Sequence, residues 1–149
     1  MSLHRVVLKW LRQTPDFTYE SYSRDHIWTF ENGLTVDASA APQFRGNASR
    51  VDPEESFVAS IASCHMLTFL AIAARKRWTV DTYDDEAVGT LEKNAAGRLA
   101  ITTVTLRPRI GFSGDKQPTP QDVARAHEQA HKGCFIANSV TTQIHIEPS

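Results

Sequence analysis

The sequence predicts an α+β fold in which a mostly antiparallel sheet packs on one long, buried helix. Three observations lead there. Residues 57–74 contain no Asp, Glu, Lys or Arg, so no face of this stretch is built for water. The segments before and after it alternate apolar and polar residues with the period of strands. The order that results, strands, helix, strands, helix, strand, is that of an α+β domain rather than of a parallel α/β sheet.

The central helix is expected over Asp52–Trp78. Asp52 is a good N-cap because its carboxylate accepts from the free amides of the first turn. Pro53 suits the first helical position, and Glu54 and Glu55 complement the positive end of the dipole. Arg75, Lys76 and Arg77 bring positive charge to the carbonyl end. The apolar run is about as long as a bilayer requires, roughly 18 residues. Ser60, Ser63, Cys64, His65 and Thr68 dilute it, however, and no second such segment accompanies it, so a core helix is expected and not a membrane span.

Ahead of the helix, His4–Leu11 reads as an opening strand and Thr14-Pro15-Asp16 as a turn. Ile27–Phe30 and Leu34–Ala38 form a hairpin about Glu31-Asn32-Gly33, where Asn-Gly tolerates positive φ. A loop over Ser39–Val51 leads into the helix. Beyond it, Trp78–Tyr83 and Ala87–Leu91 alternate as strands, Asn94–Gly97 turns, and Leu99–Phe112 runs back, making a long hairpin. Thr119 and Pro120 cap a second helix through about His131, which Gly133 ends, and Ser139–Glu147 alternates as a last strand.

With 149 residues, 41% of them hydrophobic, the chain suits one domain, 1–149, or one subunit of an intertwined oligomer. The net charge of −1, with both signs mixed, lends no electrostatic support to a nucleic-acid or acidic-membrane partner. The N-terminal Met-Ser-Leu-His-Arg lacks the apolar region of a secretory signal, so the cytoplasm is expected. In a reducing compartment two cysteines are inert buried thiols or a redox or metal pair, not a structural staple.

Cys64 and Cys134 lie far apart in sequence, but each sits on or beside a helix that must pack on the same sheet, so they can meet. A thiol in an apolar helix is inert unless a cation stands beside it, and Arg24, Arg45 and Arg50 lie in segments able to supply one. His65 points about 100° away from Cys64 on the helix and is expected to be a satisfied core histidine. His127, His131 and Cys134 fall at helical spacing, and with Cys64 they form a conceivable metal set. Gly133 breaks the helix that this spacing assumes, so no metal is expected. No nucleophile elbow and no glycine-rich phosphate loop is present.

Asp-Pro-Glu-Glu followed by Cys64-His65, with Ala-His-Lys-Gly-Cys around Cys134 and a closing strand, resembles the OsmC/Ohr family over nearly the whole chain. Pro53, Glu54 and Cys64 match the family's Pro-Glu with a cysteine ten residues on. Cys134 matches its second cysteine and Arg24-Asp25 its Arg-Asp on the second strand, whereas Phe135 stands where the family often has proline. The resemblance implies a homodimeric thiol peroxidase that reduces organic hydroperoxides. In it a Cys64 thiolate is held by Arg24 and Glu54, Cys134 is the resolving thiol, and a dithiol of lipoyl type or a small thiol is the reductant. Neither metal nor flavin is needed. Arg45, in the loop before the helix, is the alternative to Arg24. A redox-silent small-ligand-binding protein of the same fold is the alternative function.

A helix uncharged all round is covered only in part by one sheet and one modest helix, which predicts a homodimer with exchanged N-terminal strands. Glu54 and Cys64, ten residues apart, are separated by about 15 Å along the helix and some 80° around it. One site containing both is expected to take Glu54 from one subunit and Cys64 from the other; the alternatives are a break in the helix between them or an arginine long enough to span the gap.

Overall fold

The computed structural model describes all residues, Met1–Ser149. The chain divides into two compact units, Met1–Ser56 and Phe57–Ser149. In the first unit β1 (Val6–Lys9), β2 (His26–Phe30) and β3 (Thr35–Ala38) form an antiparallel meander in sequence order. The β2–β3 turn is the Asn-Gly turn, with Gly33 at φ 82° and the Asn32 side chain accepting from the Leu34 amide at 3.0 Å. Arg24-Asp25, placed on the second strand by resemblance, precede it.

Residues 39–51 fold back on themselves through a 3-10 turn at Pro42–Phe44. A Cβ at Gly46 would lie 1.5 Å from the Ala40 carbonyl oxygen, so only glycine fits there. The Ser39 amide donates to the Val51 carbonyl and the Val51 amide to that of Asp37, which delivers Asp52 to the start of α1 (Pro53–Arg75). The Asp52 carboxylate accepts from the Glu55 amide at 2.8 Å, and Glu55 reaches back to the Asp52 amide at 3.2 Å. These two bonds occupy donors that the first helical turn leaves free.

α1 stops at Arg75, three residues before the expected Trp78. Arg77 takes φ 61°, and the amides of Arg77 and Trp78 turn back onto the carbonyls of Ala74 and Ala73. This left-handed cap brings Trp78 into the core beside Ala73.

In the second unit the long hairpin is present, but Leu99–Phe112 is not one strand. β4 (Thr79–Asp85) pairs with β7 (Pro108–Ser113), and β5 (Val88–Lys93) pairs with β6 (Leu99–Leu106). Both arms break at one level, because Pro108 has no amide to donate and the Arg107 amide turns to the Asp85 carboxylate at 2.7 Å. α2 (Pro120–Gly133) begins with the expected Thr119 cap, completed by Asp122 into a reciprocal pair of bonds. The last strand is shorter than expected: Ala137–Ser139 form a 3-10 turn, and β8 (Gln143–Ile146) pairs parallel to β6. The other four strand pairings are antiparallel.

Burial on α1 is confined to one stripe, Ile61, His65, Phe69 and Ala73, at intervals of four residues. Ile61 packs with Val104 and Leu106, and Phe69 and Ala73 with Trp78, Ala126 and Ala130 of α2. The expectation that α1 is buried on most sides therefore does not hold within one chain. Ala59, Ser60, Ser63, Leu67 and Ala71 form an exposed stripe, with Leu67 60% exposed.

Candidate active site

Cys64 sits in the middle of α1, half-buried, and Cys134 caps the C-terminal end of α2, buried; both thiols are free. The two helices approach closely beside them, where a Cβ on Gly133 would stand 3.2 Å from the Thr68 methyl group. The two thiols are neighbours, close enough for each to feel the other's charge. Burial pushes the Cys134 thiol up, and the Cys64 thiol beside it raises it further. The Ala137 amide donates to its sulfur at 3.4 Å. Cys134 is thus held as a neutral thiol against the more exposed Cys64. The two cysteines that the sequence singles out are brought together by the tertiary fold.

Arg24 and Glu54 lie in the first unit, where both line a cavity of 540 Å³. Trp10, Phe17, Tyr22 and Phe44 supply its aromatic wall, and no thiol lines it. Arg24 is fixed in place: its guanidinium donates to the carbonyls of Tyr19 and Tyr22 and lies over the Tyr22 ring, 3.6 Å from the centroid. His26 holds the Arg24 backbone. Because the Trp28 indole can only donate, His26 Nε2 accepts from it at 2.8 Å, which leaves the proton on Nδ1 to donate to the Arg24 carbonyl at 2.8 Å.

The three arginines considered as partners for the thiolate divide clearly. Arg50 is engaged by Asp25 at 3.3 Å and Asp37 at 3.9 Å. Burial works against the charge of Asp25, but hydrogen bonds from Asn47 and Ser39 and the Arg50 guanidinium outweigh it and hold its carboxyl below the usual range. Arg24 and Arg45 form no ion pair. Arg45 lies over the Tyr19 ring at 5.5 Å and is not part of the cavity wall. The aromatic wall is what residue-by-residue reading missed. Its signal is the density of rings between Trp10 and Tyr22, a segment with no regular secondary structure to bury them in.

His65 departs from expectation. It is buried, as expected of a core histidine, but it is not fully hydrogen-bonded. Its Nε2 lies 3.0 Å from His127 Nδ1, with the ring planes within 9° of each other, while His65 Nδ1 and His127 Nε2 have no partner. Burial pushes both imidazoles down to about 4, and the charges of His127 and His131 add to the effect on His65. Nowhere do three His, Cys, Asp or Glu side chains stand together so as to hold a metal ion.

Residues 46–149 match the family of OsmC-like proteins. No curated protein matches the chain. Among solved structures, an OsmC-like protein of unknown function from Vibrio cholerae is 45% identical over 100% of both chains, with a TM-score of 0.97. The organic hydroperoxide resistance protein OhrB of Bacillus subtilis is 19% identical, with 99% of this chain and 98% of that one covered and a TM-score of 0.71. An OsmC-like protein from Mycoplasma pneumoniae is 12% identical, with 99% and 96% covered and a TM-score of 0.74. At such identities the last two share the fold. From the family match and the full-length similarity to the Vibrio protein, this chain belongs to the OsmC-like family.

Proposed function

We propose that this protein is a cysteine-based thiol peroxidase acting on organic hydroperoxides. The observation that carries the reading is the pairing of a half-buried Cys64 with a buried Cys134 whose thiol it perturbs. The Cys64 thiolate attacks the distal peroxide oxygen, the O–O bond breaks, and the alkoxide leaves as the alcohol after taking a proton. Cys64 becomes a sulfenic acid. The Cys134 thiol condenses with it, releasing water and forming a Cys64–Cys134 disulfide before further oxidation. A dithiol reductant, lipoyl-type or small, restores both thiols by exchange and is itself oxidised to its disulfide.

Arg24 and Glu54 serve Cys64 of the other subunit in a homodimer. Their cavity contains no thiol, and ten residues of one helix keep Glu54 about 15 Å from its own Cys64. If two copies of α1 cross antiparallel about a two-fold axis, Glu54 comes level with the partner's Cys64 when the crossing is centred on position 59, midway between them. Ala59, Ser60 and Ser63 lie in the exposed stripe and are small enough for close approach. β1 and the residues just after it likewise expose Val6, Val7, Leu8 and Leu11, a surface suited to exchange between subunits. The aromatic cavity wall favours a peroxide with a hydrocarbon body over hydrogen peroxide.

The test is a free-thiol titration after one equivalent of cumene hydroperoxide. Loss of two thiols per chain, abolished by Cys64→Ser, is the expected result. Retention of both thiols overturns the reading in favour of a redox-silent binding protein.

A further inference from the structure

The buried histidines join the two elements that carry the cysteines. His65 follows Cys64 on α1, and His127 lies on α2 seven residues, close to two turns, before Cys134. The 3.0 Å bond between His65 Nε2 and His127 Nδ1 joins α1 to α2 side chain to side chain. Phe69, one turn beyond His65, stacks on the His127 ring, 4.5 Å between centroids and at 30°. His127 is thus gripped by two successive turns of α1, and its position fixes how far α2 is advanced along that helix. The thiols meet at the end of the same contact.

The bond also has a cost that packing alone does not explain. Two neutral imidazoles carry two N–H groups, and one hydrogen bond uses one of them. Whichever tautomers are adopted, one N–H is left buried on His65 Nδ1 or His127 Nε2, and neither atom has a partner. An orphaned donor is costly, whereas two phenylalanine-like side chains would fill the space without one. What the pair adds over an apolar contact is direction, since a hydrogen bond holds one helix register where stacked rings tolerate sliding.

We propose that the His65–His127 hydrogen bond is a positioning device that sets the register of α2 on α1 and so holds Cys134 against Cys64 for disulfide formation. Neither histidine touches the reacting sulfurs in this role. The inference rests on the reading of Cys134 as the thiol that pairs with Cys64, but not on turnover of any peroxide.

The experiment measures the thiol–disulfide equilibrium of the homodimer in glutathione buffers. There the reduced protein and oxidised glutathione give the intramolecular disulfide and two reduced glutathiones. The equilibrium constant reports the effective concentration of one thiol at the other, and the assay proceeds whether or not the protein reduces peroxides. His127→Phe keeps the stacking and removes the bond; His127→Asn restores a nitrogen near the place of Nδ1; His127→Gln places its amide further out. We expect His127→Phe and His127→Gln to lower the constant by about fivefold to tenfold, up to about 30 mV, and His127→Asn to stay within about twofold of the parent. A purely structural contribution predicts that thermal stability falls in all three while the constant does not track the position of the nitrogen. An unchanged constant in His127→Phe, or equal constants in His127→Asn and His127→Gln, overturns the proposal. If His127→Phe does not fold, the Asn and Gln variants still decide it.

Discussion

The buried histidine pair makes the stability of this protein sensitive to mild acid, and the size of the effect follows from its surroundings. His65 and His127 are 1% and 3% exposed, and both titrate at about 4 in the folded chain against an ordinary value of 6.5. Between those two values the unfolded chain binds more protons, so each proton taken up favours unfolding. The stabilising contribution of the neutral pair is complete above about pH 6.5 and is lost as the pH falls toward 4. Going from about pH 7 to about pH 5 costs about 2 kcal/mol per histidine, or about 4 kcal/mol for the pair. That is a large share of the stability of a typical domain, 5–15 kcal/mol. The assay is urea unfolding followed by circular dichroism at about pH 7, 6 and 5, at one fixed protein concentration because a dimer's stability depends on it. The comparison is with His65→Leu/His127→Phe, in which the carboxylates titrate as before but the pair does not. The parent is expected to lose about 4 kcal/mol more than the double variant. Parallel profiles, agreeing within about 1 kcal/mol, would show that the imidazoles are not held neutral by burial and would refute the reasoning.

Phe69 is fully buried, packs with Trp78, Ala126 and Ala130 and stacks on His127, so Phe69→Ala should cost about 3–5 kcal/mol in the same unfolding assay; a loss under about 1 kcal/mol would mean the cluster is not a tight core. Sedimentation at micromolar concentration should give a dimer, and Leu67→Glu, which charges the exposed stripe of α1, should give monomers; a monomeric parent contradicts the assembly. A mixed dimer with Glu54→Ala in one chain and Cys64→Ser in the other separates the composite site from a site within one chain. In the composite arrangement both defects fall in the same site and about half the peroxidase activity survives, whereas activity near background rules that arrangement out.

Features fixed by neighbouring residues are legible in the sequence. The Asp52 cap, the Asn-Gly turn at Gly33 and the Thr119 cap are decided by groups within about four residues of one another, so the sequence alone places them. The long uncharged run marks the central helix for the same reason, since its character needs no partner to be recognised. The helix ends before Trp78 because Trp78 leaves it to enter the core, a gain that exists only when α2 and the sheet are present. The break between β6 and β7 depends on Asp85 taking the Arg107 amide, an interaction across 22 residues that no pattern of period two contains.

The candidate site divides in the same way. Cys64, Cys134, Arg24 and Glu54 stand out as residue types in a recognisable layout, but the approach of the thiols depends on how closely α1 and α2 pack at Thr68 and Gly133. The half-bonded histidines are illegible for a sharper reason. Whether a buried imidazole finds partners for both nitrogens is decided by the few atoms that close around it, and His65 and His127 lie 62 residues apart until the tertiary fold brings their rings together.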